Sequence, residues 1–376
     1  MALKYRSWVE ISTARITENF RAVQALVGPA VETAAVVKAD AYGHGAIEVS
    51  RTLAAGGARW LAVSSVDEGV ALREAGITAP RILVMADSLP YTRPALAEYN
   101  LTPAAHSLED VRALDEFAAA RGARLRYHLK IDTGMGRLGT LEGAAAIAET
   151  VRGTAHVELE GLMSHFASAA DYTKTYSDEQ AAAFEELTRA LCLEGIVPAY
   201  RHMASTNAVA YGRRNAWHNM VRPGHALYGY VSPARGPAPP RLLDVKPALE
   251  WKAAVLETKD VPEGSLIGYG GMFRAPRPTR IAVLAVGYAD GLSHRLGNRG
   301  HAIAAGRLVP ILGAVSMDLT TIDVTDVPSI RPGDAVTLLG AEGGVAINAQ
   351  LMARTAGTIS YDILCGIRAR VKRVYV

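Results

Sequence analysis

Along the first two-thirds of the chain, short apolar runs alternate with stretches of helical period. The runs are TAAVVK (33–38), WLAVSS (60–65), RILVMA (81–86), LTPAAH (101–106), RLRYHLKID (124–132), VELEGLMSHF (157–166), YRHMAS (200–205) and MVRPGHALYG (220–229). Each has strand length and a composition suited to burial on both faces. The segments between them carry helix signals. Ser107 precedes Asp110 by three residues and Ser177 precedes Gln180 by three, so both serines are expected to cap helices. Gly122 and Gly195 stand where helices should stop. Ala181, Phe184, Leu187 and Leu191 recur at helical spacing within 178–193, and Ile16, Phe20, Val23 and Val27 form an apolar stripe before the first run. Trp8–Ile11 reads as a short strand.

Eight strands and their helices over roughly 230 residues predict a (β/α)8 barrel of the TIM type, with an open doubly wound sheet as the competitor. The polar residues favour closure. Lys38, Lys130, Asp132, His165, Ser205, Arg222 and Gly224 all fall at or just past the C-terminal ends of predicted strands. In a barrel those ends meet on one face, whereas an open sheet would spread the first and last strands apart.

The remainder changes character. Residues 231–247 contain five prolines and little periodicity. Beyond them come alternating β-type stretches at 249–261, 280–292, 301–324 and 334–340, a helix near 347–357, and a closing strand in RVKRVYV. The expected organisation is an α/β barrel over 12–240 and a mostly-β domain over 241–376, with residues 1–11 packing on the latter.

Composition narrows the function classes. The 376 residues include 40 Lys+Arg and 37 Asp+Glu, for a formal charge of +3. That balance argues against nucleic acid or an anionic membrane as partner. No apolar run reaches the length of a membrane span, and Lys4, Arg6 and Glu10 interrupt any signal-peptide core. The two cysteines, Cys192 and Cys365, make no disulfide framework and fit a reducing cytoplasm.

Lys38 follows a buried strand and precedes Ala-Asp-Ala-Tyr-Gly-His-Gly. A desolvated lysine is a nucleophile able to condense with an aldehyde, although an isolated lysine at such a place often only snorkels or pairs with an acid. Gly43 and Gly45 allow close backbone approach to a ligand. Ser205 and Gly224 follow the seventh and eighth strands, where barrels bind phosphate. Pyridoxal 5′-phosphate (PLP) carries both an aldehyde and a phosphate.

The segments AVVKADAYGHG (35–45), HLKIDTGMGRLG (128–139), EGLMSHFASA (160–169), VRPGHALYG (221–229), IGYGGMF (267–273), VGYADG (286–291), GAVSMDLTTIDV (313–324) and ISYDILCGIRARV (359–371) resemble, in order, the signature segments of the alanine racemases. The resemblance spans nearly the whole chain. It implies a fold-type III PLP enzyme that interconverts L- and D-alanine, a homodimer with shared sites, and D-alanine supply for peptidoglycan. It makes Lys38 the PLP lysine and one base, and Tyr269 of the partner subunit the other. Tyr42, Ser205, Gly224, His225 and Tyr361 correspond to phosphate-side positions, and His165 and Arg222 to a relay with the arginine facing the pyridine nitrogen. Arg137 and Met317 correspond to substrate contacts, and Tyr288 and Asp318 to the entrance. Lys130 matches a lysine that can be carbamylated and then pair with Arg137; the plain alternative is an ion pair with Asp132. No metal is implied.

The chain departs from the family's usual residues at His225, Ser316 and Gly271-Met272. Competing readings are a racemase of broader specificity, a PLP decarboxylase of the same fold, and a PLP-binding barrel without catalysis. Arg222 in place of an acid disfavours the decarboxylase, and the β domain with Tyr269 disfavours the inert barrel.

Overall fold

In the computed structural model, which describes residues 5–376, the chain divides into two compact units. One comprises Ile16–Ala41 and Ala46–Lys246; the other combines the N-terminal residues up to Arg15, Tyr42–Gly45 and Pro247–Val376.

A short strand, β1 (Ser7–Ile11), precedes the first unit. The eight strands of that unit are β2 (Glu32–Val36), β3 (Trp60–Val63), β4 (Arg81–Val84), β5 (Leu101–Ala105), β6 (Leu125–Lys130), β7 (Val157–Met163), β8 (Tyr200–His202) and β9 (Met220–Val221). Seven lie within the predicted runs, and β2 begins one residue before its run. All pair in parallel, in the order β8-β7-β6-β5-β4-β3-β2-β9. The seam between β8 and β9 is bridged just past their ends, where Ser205 pairs with Arg222 and the Arg222 N–H donates to the Ala204 carbonyl at 2.9 Å. The strands form a nearly closed barrel, as expected.

The helices follow the apolar stripes. Thr13–Val27 buries Ile16, Phe20, Val23 and Val27. Ser107 caps Leu108–Ala119 by accepting the N–H of Asp110. The expected cap at Ser177 is corrected: that helix spans Tyr176–Leu193 with Thr175 at its N-cap, and Ser177 sits buried in its first turn with its hydroxyl donating to the Ser168 carbonyl. A buried carbonyl close by outweighs the local capping geometry. The strand limits are also tighter than the apolar runs. Lys38 lies two residues past β2, His165 two past β7, and Asp132 two past β6.

The second unit is antiparallel around β10 (Leu249–Val261), which pairs with β1 and with strands later in the chain. Those strands are β11 (Leu266–Ile267), β12 (Phe273–Arg274), β13 (Thr279–Leu284), β14 (His301–Ala304), β15 (Arg307–Leu312), β16 (Thr320–Asp323), β17 (Ala335–Glu342), β18 (Val345–Ile347) and β19 (Lys372–Tyr375). The succession β17-β14-β15-β16-β13-β10 returns to β17, so this sheet curls back on itself. Alternation explains it: β10 buries Leu249, Trp251, Ala253 and Val255 and turns the residues between them outward. The helix predicted near 347–357 is Ala349–Ala356.

Phe184 is fully buried and lies 5.2 Å, edge to face, from the His218 ring. Phe184→Ala should cost about 3–5 kcal/mol of stability, and Phe184→Leu clearly less. Urea unfolding checks this. A cost below 1 kcal/mol would mean that the helix does not anchor the barrel.

Candidate active site

The chain leaves β2 in an unusual way. Ala39, Asp40, Ala41 and Tyr42 all have φ near +52 to +55°, a full left-handed turn without a glycine. Left-handed backbone costs an L-residue about 1–2 kcal/mol, and such strain concentrates at functional sites. Surrounding contacts hold it. The Ala39 N–H donates to Glu68 Oε1 at 2.6 Å, the Ala41 N–H to the Val37 carbonyl at 2.9 Å, and the Ala46 N–H to Asp40 Oδ1 at 2.8 Å. Lys38 stands at the entry to this turn. The end of β2 is tied to the next part of the site, because the Val36 N–H donates to the Pro223 carbonyl at 3.0 Å and the Tyr228 hydroxyl to the Val36 carbonyl at 2.8 Å.

The turn after β9 carries Arg222, Gly224 and His225. Thr206 Oγ1 accepts the N–H groups of Gly224 and Ala226 at 3.2 and 3.1 Å and so fixes the start of the short turn His225–Tyr228. Ser205 is the N-cap of Thr206–Ala210, but its side chain makes no cap bond.

At the mouth of this unit Lys38, Lys130, Arg137, His165 and Arg222 lie within one electrostatic neighbourhood. Asp132 belongs to it as well, but its carboxylate accepts the N–H groups of Gly134 and Gly136 at 2.9 Å each. Asp132 therefore organises the loop that carries Arg137, in place of the simple ion pair with Lys130. Gly139 (φ +118°) locks the loop's far end: a Cβ there would sit 2.7 Å from the Asp132 nitrogen.

This surplus of positive charge shapes titration. Burial first, then Arg137 and Arg222, pull the Lys130 ammonium down to about 8, so a lysine amine near neutrality is available. Burial, with Arg222 and Lys130, pulls His165 down to about 3, and burial lowers Arg222 to about 10, still protonated at neutral pH.

Arg222 is the most enclosed of these cations. One Nη donates to His202 Nδ1 and, at 3.0 Å, to the His202 carbonyl; the other donates to the Ser164 carbonyl at 2.5 Å and lies 3.4 Å from His165 Nδ1. His165, expected as the relay partner, is thus the looser contact. His202 is the closer one and had been missed. His128 and Thr206 had been missed as well, although period two of a strand puts His128 on the face of Lys130.

The second unit collects the other expected residues. The Tyr288 and Ala289 N–H groups donate to the carbonyls of Ser316 and Met317 at 2.9 and 3.0 Å. Gly268, next to Tyr269, approaches Ala314, and a Cβ on Gly313 would sit 2.6 Å from the Ile267 carbonyl oxygen. Tyr269, Tyr288 and Met317 are 77%, 44% and 54% exposed. Asp318 bonds to Arg370 at 2.7 Å, and Arg370 also pairs with buried Asp290 at 2.9 Å. Tyr42 and Tyr361 stand with ring centroids 6.0 Å apart, and burial, with Tyr361 beside it, pushes the Tyr42 hydroxyl up. Two clefts of about 540 and 490 Å³ lie at the opposite, N-terminal end of the barrel strands and carry none of the expected residues.

The donor set fits PLP. Clustered cations with one engaged carboxylate call for an anionic ligand, and the amine on a strained turn tied to the Arg222–Gly224 turn suits an aldehyde that also bears a phosphate.

The histidines His128 and His202, fully buried, and His165, partly buried, are all shifted down, chiefly by burial. The unfolded chain therefore takes up protons below the ordinary histidine value that the folded chain refuses, and stability should fall as pH drops from 7 to 5. The urea midpoint should decline over that range, with a shallower slope in His165→Gln. A His165 ring that titrates between pH 5 and 8 by NMR would contradict this.

Sequence comparison agrees with the geometry. The family described as "Alanine racemase, N-terminal domain" matches residues 11–233, and "Alanine racemase, C-terminal domain" matches 248–375. A protein named alanine racemase from Halothermothrix orenii is 40% identical over 370 residues, covering 98% of this chain and 96% of its own. The crystal structure of alanine racemase from Bacillus anthracis with bound L-Ala-P superposes with a TM-score of 0.90 at 33% identity, covering 100% of this chain and 96% of its own. That from Bartonella henselae, with covalently bound pyridoxal phosphate, gives 0.87 at 26% identity, covering 99% and 100%.

Proposed function

This chain belongs to the alanine racemase family, and from that we propose that it interconverts L- and D-alanine with PLP, using Lys38 of one subunit and Tyr269 of the partner subunit as its two bases. The observation that carries the reading is the cationic mouth of the barrel, with Lys38 on its strained turn. The cofactor-holding region is 12–240 and the tyrosine-bearing region 241–376.

The chemistry that PLP supplies when bound is electron withdrawal from the substrate's amino nitrogen, which acidifies the Cα proton. The chain's own groups do the rest. Lys38 would hold the cofactor at its aldehyde, and its amine would take or return the proton on the face of the D enantiomer. Tyr269 of the partner subunit does so on the face of the L enantiomer. Ser205, Gly224, His225, Tyr42 and Tyr361 hold the phosphate. Arg222 keeps its protons, so towards the ring nitrogen it would offer a hydrogen bond and no proton.

Arg137 receives the substrate carboxylate, with Met317 beside it. Lys130, with its lowered ammonium, is suited to carbamylation by carbon dioxide, which would turn a cation into an anion able to steady Arg137. Tyr288 and Asp318 line the entrance.

The surface bearing Tyr269 supports the shared site. Tyr269, Met272, Tyr288, Met317 and Leu319 are all exposed. Closely tied loops with exposed aromatic and Met side chains are characteristic of an interface. No helix among the described residues is long and apolar enough to cross a membrane. The proposed setting is the cytoplasm, with D-alanine passing to peptidoglycan synthesis.

Lys38→Ala and Tyr269→Phe should each be inactive as racemases. After subunit exchange, random mixing makes half the dimers hybrid, each with one intact site, so activity should recover to about a quarter of the wild-type value. Racemisation of alanine and of a panel of other amino acids checks both the reaction and its specificity. No recovery after confirmed exchange would remove the shared site.

A further inference from the structure

The Arg222 guanidinium continues into a file of side chains running down the barrel interior. Arg222 donates to His202 Nδ1, and His202 Nε2 lies 2.7 Å from His128 Nδ1. His128 Nε2 lies 3.6 Å from Glu160 Oε2, and Glu160 receives both arms of Arg81 at 2.5 and 2.6 Å. His128 and His202 are fully buried, Arg222 nearly so, and Glu160 is 6% exposed. The barrel is shaped to hold the file. Gly161, paired with His128 across β6 and β7, has no room for a side chain: a Cβ would sit 2.7 Å from His128 Cγ and Nδ1. The Tyr200 ring stacks on His128 at 6.0 Å, and Trp60 closes another side at 5.6 Å.

Donor and acceptor rules order the protons. A guanidinium only donates, so His202 Nδ1 accepts and its proton is on Nε2. His128 Nδ1 must then accept, which puts its proton on Nε2, facing Glu160. At 3.6 Å that last contact is ion to dipole and too long for a hydrogen bond. The sign still holds, since a lone pair there would be repelled by the carboxylate. Every proton points from Arg222 towards Glu160.

We propose that Glu160 is a positioning residue for racemisation: through the ordered Nε2–H forms of His128 and His202, it fixes the Arg222 guanidinium in place at the other end of the barrel. The idea rests on the reading above that Arg222 meets the cofactor's ring nitrogen. A carboxylate against the arginine itself would compete for its donors. Placed two imidazoles away, Glu160 orients the file and leaves the Arg222 N–H groups to the carbonyls and the ligand.

The test is 15N NMR of histidine side chains in the full-length holoenzyme, with His128→Gln and His202→Gln for assignment, beside kinetics of Glu160→Gln and Glu160→Asp. The wild type should show both histidines as Nε2–H. Glu160→Gln cannot accept both arms of Arg81, so it should mix the tautomers. It should lower kcat per PLP-loaded site on the order of tenfold, the lower range for residues that orient a ligating side chain, with KM for alanine little changed; Glu160→Asp should recover part of the loss. An Nδ1–H form of either histidine in the wild type, or a Glu160→Gln variant with kcat per loaded site within twofold of wild type, would overturn the proposal. A wild type that holds the predicted tautomers but does not racemise alanine would instead remove the functional reading.

Discussion

A full positive charge buried in a barrel must be met by something, and around Arg222 it is met by neutral acceptors. Carbonyls of Ser164 and His202 and the Nδ1 atom of His202 take its protons. No carboxylate is among these partners, so the guanidinium keeps its charge without a salt bridge to compete for its geometry. Other features follow from that constraint. Burial first, with this and neighbouring positive charge behind it, pushes His165 and Lys130 towards their neutral forms. A neutral imidazole then shares the mouth with a lysine whose ammonium gives up its proton more readily than usual. Under the proposed reading, an arginine with no proton to give would leave a bound cofactor a weak electron sink, which would favour a base in place on each face over one base that must move.

The backbone strain beyond β2 belongs to the same design. Four residues are held left-handed by Glu68, Asp40 and the carbonyl of Val37. That turn sets where Lys38 enters the site, and the bond from Val36 to Pro223 ties it to the turn that follows Arg222. In the other unit, close backbone contacts at Gly287, Gly313 and Gly268 bring Tyr288, Met317 and Tyr269 together on an exposed surface. Each unit holds its own residues through close contacts, as the proposed two-base reaction would require.

The barrel was legible in the sequence because its strands are buried on both faces and therefore read as continuous apolar runs. The polar residues at their ends were legible for the complementary reason, that the C-terminal rim is where a barrel tolerates them. Ser177 misled because a capping pattern is local, whereas the carbonyl of Ser168 that takes its hydroxyl comes from another segment. The left-handed turn was invisible: Ala39-Asp40-Ala41-Tyr42 contains no glycine, and one of the contacts that hold it comes from Glu68 on a distant element. His202 and Glu160 escaped notice because their importance lies in distances across the barrel. The Gly161 that makes room for His128 reads in sequence as one more glycine.

The proposed reaction depends on two separate bases, Lys38 on one face of the substrate and Tyr269 of the partner subunit on the other. The most direct measurement is α-proton exchange with deuterated solvent in Tyr269→Phe, followed separately for each enantiomer. Exchange of D-alanine should persist, driven by Lys38, while exchange of L-alanine and net racemisation are lost. Equal loss for both enantiomers would mean a single shared base, and full retention of racemisation would leave Tyr269 outside the reaction.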